Sequence, residues 1–449
     1  MLADAIEHYH DLLTGQLAAD SQAQLEQQTR QRQFYFGDRP ICTVLRPRFL
    51  TNSQYRVLQS AVREVGAAFD RAFQSAMKDA DFRRQFCLTD AEESLLANEP
   101  GFQCPFPTAR LDSFFVSEEE LKFTEYNTET PAGAAYADVL TEMFYGLPVV
   151  GEFQKRYELR RLPARPGVLH ALLDSYSQWA GNSSEPPRIA ILDWKEVPTY
   201  SEFRLFEEYF RAQGLECRIV DPRDLEYRNG KLLANDYHIT LIYKRVLISE
   251  LLSRGGLDQP LIRALRDHAV CMVNSFRCKI LYKKSSLAVL TDERNESFFT
   301  PSMLDAIRRF IPWTRRVEDR WTVFEGTRID LVPYILAHRD RLVLKPNDEY
   351  GGKGIVLGWT VDDSAWQKAV MSALAEPYVV QEKVNLPREA YPSFEHGKLH
   401  LVERVLDTNP YVCFGSYMSG CLTRISTEAL VNVTAGGGST APTFIIEEK

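Results

Sequence analysis

The chain has 449 residues, enough for two or three domains, and its 45% apolar and 25% charged residues are the balance of a soluble globular protein. A net charge of −8, from 53 basic and 61 acidic side chains, argues against a nucleic-acid partner, which would favour a basic surface. It leaves room for a local anion site, which needs only a few placed cations.

The N-terminus, Met1-Leu2-Ala3-Asp4-Ala5-Ile6-Glu7-His8, has no basic segment and no long apolar run, so no signal peptide is expected. No stretch approaches the ~20 apolar residues that span a bilayer. Eight cysteines are scattered without a Cys-x-x-Cys pair, which predicts reduced, buried thiols in a cytoplasmic protein. Low histidine content argues against a zinc hydrolase. Oligomeric state leaves no trace in the sequence.

Residues 1–103 read as a helical region. Leu17 to Arg32 is polar and glutamine-rich. Ser53 to Phe73 carries an apolar stripe through Val57, Leu58, Ala61, Val65, Ala68 and Phe69, the spacing of one helix face. No chemistry stands out in it, and a scaffold is expected.

Residues 104–185 change character. Ala109 to Val116 and Glu120 to Tyr126 read as two short strands. A helix follows Pro131 over Ala132 to Phe144. A basic, proline-containing connection runs from Arg160 to Gly167, and a helix extends to about Trp179.

Residues 186–274 form an α/β unit of Rossmann-like type. Arg188 to Asp193 is a buried strand. Thr199 with Glu202 makes a capping-box pattern. Phe203, Phe206 and Phe210 share a helix face, and Gly214 is placed to end that helix. Cys217 to Asp221 is a second strand, Asn229-Gly230 marks a hairpin turn, and His238 to Tyr243 is a third strand ending at Lys244-Arg245. Without Gly-x-Gly-x-x-Gly after the first strand, a nicotinamide site is not expected. No Walker A pattern occurs.

Residues 275–449 open with Ser275 to Leu290, a lysine-bearing helix or strand–helix. An apolar strand, Leu342-Val343-Leu344-Lys345-Pro346, then leads into Tyr350-Gly351-Gly352-Lys353-Gly354 and a further strand at Ile355-Val356. Glycines let a backbone approach a ligand and adopt positive φ. Successive exposed N–H groups in such a turn make a concave anion site. The segment reads as a hairpin flap over a polyphosphate, or as an ordinary hairpin with a solvated lysine. Tyr378 to Glu382 and His400 to Leu406 are later strands. The tail holds Gly420, Arg424, Asn432 and the run Gly436-Gly437-Gly438.

Three constellations carry candidate chemistry. In the first, Arg110-x-Asp112 is followed by Glu125-x-Asn127. Residues i and i+2 of a strand share a face. A hairpin of the two strands brings together two carboxylates, an amide oxygen and a guanidinium. Mg²⁺ takes hard oxygen ligands, usually one or two carboxylates plus substrate phosphates. The plain alternative is a surface hairpin with solvated charges. The second comprises Lys284, Lys345 and the glycine turn with Lys353, cations and backbone donors suited to a triphosphate. Lys279, Lys283 and Lys284 read equally as a solvated face. The third is Gln381-Glu382 at a strand end, placed to meet an adenine edge and ribose hydroxyls.

Order and spacing resemble the ATP-grasp superfamily, and more narrowly the circularly permuted ATP-grasp proteins related to glutathionylspermidine synthetase. Ordinary members carry the phosphate flap first and the metal-binding motif later. Here Glu125-Tyr126-Asn127-Thr128-Glu129-Thr130-Pro131 precedes Leu344-Lys345-Pro346 by more than two hundred residues, as the permuted pattern has it. Tyr282-Lys283-Lys284-Ser285-Ser286-Leu287-Ala288 resembles the family's asparagine-lysine-alanine helix start, with Lys283 in place of the asparagine. Gly420-Cys421-Leu422-Thr423-Arg424 resembles a glycine-glycine-leucine-threonine-arginine element.

The resemblance implies a mixed α/β (α+β) fold: a permuted ATP-grasp domain with an inserted Rossmann-like pre-ATP-grasp domain and an N-terminal helical region. It implies ATP and Mg²⁺, with Asp112, Glu125 and Asn127 as metal ligands. Lys284 and Lys345 would meet phosphates, Gly351, Gly352 and Lys353 would form the flap, and Gln381 and Glu382 would meet adenosine. Arg110 and Arg424 would stabilise the transferring phosphoryl group. The expected activity is an ATP-dependent carboxylate–amine ligase. A small-molecule kinase or a nucleotide-binding module without turnover stands beside it. Lys244-Arg245 offers cations for a substrate carboxylate.

Overall fold

The computed structural model describes residues 1–395, 398–428 and 438–449. Asn432, Gly436 and Gly437 of the expected glycine-rich tail lie outside the described residues.

Among the described residues the longest helix is Asn52–Lys78. Thr51 and Gln54 close a reciprocal capping box at its start, and Leu58, Val62, Val65, Phe69 and Phe73 form its buried stripe. Burying each such side chain is worth about 1.5–3 kcal/mol, so this stripe anchors whatever it covers. It covers the first hairpin: the Phe69 and Tyr126 ring centroids are 4.4 Å apart. Where the helix crosses the turn near Gly415, a Cβ on Gly66 would collide with the Gly415 carbonyl. Backbone on that side cannot step aside cheaply, so Gly66→Ala is expected to lower the melting temperature by many degrees in a thermal-unfolding scan.

The hairpin of Thr108–Phe115 with Leu121–Asn127 joins a seven-stranded sheet. Its neighbours there come from the other end of the chain: Asn409–Cys413 pairs with Thr108–Phe115, and Tyr417–Ser426 lies beyond it. Chain closure continues in a second sheet. Arg48–Thr51 runs parallel to Thr443–Glu448, which also pairs with Tyr157–Arg161. The N-terminal region is therefore helical with a small hairpin, Tyr35–Phe36 with Arg39–Pro40, and a strand, Arg48–Thr51, built into a shared sheet. A third sheet holds Thr314–Arg316, Tyr378–Glu382, Leu342–Pro346 and Val356–Leu357.

A four-stranded sheet of parallel strands, ordered Cys271–Val273, Leu241–Lys244, Arg188–Leu192, Glu216–Val220, forms the α/β unit. Two expectations fail here. The single strand His238 to Tyr243 is two: Tyr237–Ile239 pairs antiparallel with Lys231–Ala234, and Leu241–Lys244 enters the parallel sheet. The break falls at Thr240, whose hydroxyl accepts the Arg188 N–H at 2.8 Å. Nor does Thr199 cap its helix by side chain. Glu202, fully buried, instead accepts the N–H groups of Gly133 and Ala135 at 2.7 and 3.2 Å. The eight cysteines are free, and six are buried. Among the described residues no helix is long and apolar enough to cross a membrane.

Candidate active site

In the first hairpin Arg110 lies opposite Asn127 and Asp112 opposite Glu125. Directly opposed residues share a face, so all four side chains stand on one side of the sheet. Leu111 and Tyr126 point the other way, onto the long helix. The register then slips between Asp112 and Ser113. That bulge bends the strand just past the carboxylate pair.

Arg110 holds Asp112 in a two-pronged pair, Nε to Oδ1 at 2.6 Å and Nη2 to Oδ2 at 3.0 Å, and gives its other Nη to the Ala132 carbonyl. Arg424 reaches Asp112 Oδ2 at 2.7 Å from the Tyr417–Ser426 strand. Asp407 steadies Arg424 through both its guanidinium and its backbone N–H. Burial raises the Asp112 pKa, but the two guanidiniums outweigh it and hold the carboxyl at about 2. Glu125 is likewise pushed up by burial and brought below its ordinary value by Lys284, whose Nζ lies 2.9 Å from Oε1. Both carboxylates are therefore ionised at neutral pH.

The third sheet brings Lys345 to the same place. Its Nζ donates to Gln381 Oε1 at 2.7 Å and to the Thr124 carbonyl at 3.2 Å. Desolvation lowers its pKa to about 8, with Glu125 opposing and Lys284 adding to the drop. A cation so placed lacks an anion of its own. Bringing phosphate beside it favours the charged form. Above pH 8 the free protein has lost this proton and the complex regains it, so MgATP binding is expected to take up protons and to weaken with rising pH. Calorimetry at pH 8.5 in buffers of different ionisation enthalpy reads that uptake directly.

The flap is the turn between Leu342–Pro346 and Val356–Leu357, paired Val343 to Leu357 and Leu344 to Val356. Gly351, Gly352 and Gly354 all have positive φ, 65°, 77° and 72°. An L side chain rarely adopts that backbone, which gives the three glycines a physical reason. Lys353 is exposed and pairs with Glu349 at 3.1 Å. Lys284 donates to the Glu349 carbonyl at 2.6 Å, tying the flap's base to the first hairpin.

Two adjoining cavities open here. One is lined by Asp112, Glu125, Lys284, Lys345, Gly351, Gly352, Lys353, Gln381, Glu382 and Arg424, with an apolar wall that includes Phe114, Leu357 and Trp359. The other, of about 290 Å³, is lined by Arg110, Glu125, Asn127, Arg424, Tyr350 and Gly351 and extends to Asp193 and Arg245. Glu125, Arg424, Tyr350 and Gly351 border both. Every residue expected to meet ATP, Mg²⁺ or the transferring phosphoryl group thus lies on one cavity or the other, whereas Lys244 lies on neither.

Some side chains are committed differently from expectation. Gln381 spends its amide on Lys345 and on the Thr314 hydroxyl. Glu382 Oε1 accepts the Trp313 N–H at 2.8 Å. Lys283 is no solvated lysine: with Lys279 it is buried among Glu92, Glu129 and the flap residue Asp348. Lys244 is buried against the Glu129 and Val246 carbonyls, and Arg245 pairs with Glu202 at 3.1 Å. Both are thus held by partners within the protein, although the buried Arg245 Nε has no hydrogen-bond partner among the described residues. Sequence reasoning missed Glu92, Asp407, Asp193 and Glu250. Only Asp193 carries a signal, its place just past a parallel strand, where α/β folds bind ligands. Removing one partner from the buried network costs about 3–5 kcal/mol, so Glu129→Ala is expected to lower the melting temperature by several degrees.

Does this set fit a magnesium ion? Among the described residues no three His, Cys, Asp or Glu side chains gather as a metal cage. Asp112 and Glu125 are ionised hard donors, and the Asn127 amide nitrogen is buried without a hydrogen-bond partner. That nitrogen is a donor and no metal ligand, but the Asn127 amide oxygen stands on the same sheet face as the two carboxylates, a hard-oxygen set suited to an ion that takes its remaining ligands from phosphate and water.

Comparison with known proteins identifies the family. A sequence model described as circularly permuted ATP-grasp type 2 matches residues 111–426. The chain belongs to that family. It is 24% identical over 332 residues to a protein named putative glutamate–cysteine ligase 2-2 from Frankia casuarinae, covering 70% of this chain and 36% of that one. A putative glutamate–cysteine ligase 2-3 from Frankia alni is 25% identical over 338 residues, with the same coverage of 70% and 36%. The chain thus spans little more than a third of the curated relatives it matches. A glutathione synthetase-like effector from Globodera pallida, solved in its apo form, has a similar fold. The TM-score is 0.58 at 14% identity, covering 95% of this chain and 98% of that one.

Proposed function

We propose that this ATP-grasp protein is an ATP-dependent carboxylate–amine ligase. One observation carries the proposal. Asp112, Glu125 and Asn127 from the early hairpin, Arg424 from a late strand, and Lys284 and Lys345 from two other elements converge where two cavities meet under a glycine flap. Ion pairing alone does not call for cations from three separate elements beside an apolar slot. A nucleoside triphosphate does.

In this reading the substrate carboxylate attacks the γ-phosphorus of ATP, the bond to the bridging oxygen breaks, and ADP leaves. The amine first gives up a proton from its ammonium form; its lone pair then attacks the acyl phosphate at carbon, and phosphate departs with the C–O electron pair and takes up the second nitrogen proton. Lys284 and Lys345 hold the phosphates, and Arg110 and Arg424 stand where charge develops on the transferring group. Asp112, Glu125 and Asn127 would hold Mg²⁺, which when bound neutralises phosphate charge and fixes the line of transfer. The flap closes over the site, because water would hydrolyse an acyl phosphate. Relatives named as ligases support amide formation and make amino acids the first substrates to try.

The test is an ADP-release assay with pooled amino acids and amines, followed by mass spectrometry of the products. Condensation products that need both ATP and an amine are expected. A lasting phosphorylated product without an amine requirement would make the protein a kinase instead.

A further inference from the structure

The cavity beyond Glu125 carries a charge imbalance that ligase chemistry in general does not require. Three arginines line it, and each is already in an ion pair: Arg110 with Asp112, Arg424 with Asp112 and Asp407, Arg245 with Glu202. Glu125 on the shared wall is paired with Lys284. Two lining carboxylates remain, Asp193 and Glu250. Neither has a cationic side chain within 4 Å among the described residues.

Asp193 follows the Arg188–Leu192 strand, and 7% of its surface is exposed. One of its oxygens accepts the Trp194 N–H at 2.8 Å. Glu250, on the helix Ile248–Gly255, accepts the Trp194 indole N–H at 2.8 Å and faces the Tyr350 hydroxyl of the flap at 3.5 Å. The nearby Arg254 lies over the Trp194 ring and does not line the cavity. Tyr282 brings a further polar group to the lining. It lines the same cavity at 6% exposure, and among the described residues its hydroxyl makes no hydrogen bond.

We propose that this cavity is the amine subsite, in which Asp193 and Glu250 receive a substrate ammonium group and Tyr282 offers its hydroxyl beside them. Naming the occupant as the nucleophile rests on the ligase reading. That it is cationic rests on the charges alone. A carboxylate substrate entering this lobe would meet two unpaired carboxylates, a repulsion the paired arginines do not offset. An ammonium neutralises them and replaces water with charge-assisted hydrogen bonds, and it passes one proton to a lining carboxylate before its nitrogen lone pair can attack. Burial pushes Asp193 up to about 6 against the pull of Arg245 and Lys244, neither of which comes within ion-pair distance of it. The geometry also orders the two reactants. The carboxylate is activated at the Glu125–Arg424 boundary, and the amine approaches from the far side, away from the nucleotide. Tyr350, on both cavities and opposite Glu250, joins the flap to this subsite.

Ligand-observed NMR on the full chain tests this with three probes of one shape: n-butylammonium, n-butanol and butyrate. The first is expected to bind and the other two not. Asp193→Asn and Glu250→Gln should each weaken n-butylammonium binding about tenfold or more. MgATP binding should be unchanged in both, which also reports that the variants are folded. Equal binding of butanol and butylammonium, preference for butyrate, or unchanged butylammonium binding in both variants would overturn the assignment. Should butylammonium bind as described while MgATP does not, the cation subsite stands and the ligase reading fails. MgATP binding without butylammonium binding leaves the ligase and removes the subsite.

Discussion

Glu125→Gln protein is expected to fold normally and to release ADP at least about a hundredfold more slowly than wild type. The substitution keeps the shape and removes one negative charge. Lys284, 2.9 Å away, loses the partner that positions it, and the ion set of Asp112, Glu125 and Asn127 loses an anionic oxygen. Glu125 sits on the boundary of the two cavities, and Asp112 opposite it is already held by two arginines. Stability should change little, because Glu125 is only partly buried and the hairpin's core face belongs to Leu111 and Tyr126. Steady-state ADP release with matched thermal unfolding checks both halves. Wild-type turnover in a folded Glu125→Gln protein would remove the site from the account.

Lys345→Ala should be equally damaging by a different route. Its ammonium is held by neutral acceptors, Gln381 Oε1 and the Thr124 carbonyl, and desolvation already brings its pKa to about 8. The free protein bears the cost of this cation, and a bound phosphate returns it. Removing the lysine therefore takes away ligand-bound stabilisation while relieving the free state. The variant is expected to melt no lower than wild type, to bind MgATP at least about tenfold more weakly, and to lose turnover by about a hundredfold or more. Retained MgATP affinity would show that the phosphates lie elsewhere. Lys345→Arg should not rescue, because a planar fork cannot take the place of a point charge between two carbonyl-type acceptors.

The first hairpin was legible because strand periodicity is local. Arg110 with Asp112, and Glu125 with Asn127, share a face by spacing alone, and a two-strand register is enough to unite them. The flap was legible for a similar reason, since Leu342 to Pro346 and the glycines form one continuous signal. What escaped is long-range. Glu202 looks like a helix-capping partner of Thr199, yet it lies buried between Gly133, Ala135 and Arg245, residues from other elements. Glu92 sits in a region that reads as scaffold and closes an ion network with Lys279, Lys283 and Asp348. Lys244-Arg245 looks like a free cationic pair only while Glu129 and Glu202 are out of view. Position along the chain does not reveal which charges are already spent. The sign of the acceptor cavity therefore depended on the three-dimensional pairing.

The central claim, that distant segments close around one magnesium-bound triphosphate, is tested most directly by calorimetric titration of ATP into wild type and Glu125→Gln, each with magnesium and with excess chelator. Saturable binding to wild type that weakens sharply on chelation, and little magnesium dependence in Glu125→Gln, is the expected result. Binding that ignores both the ion and the substitution, or no binding at all, would contradict it.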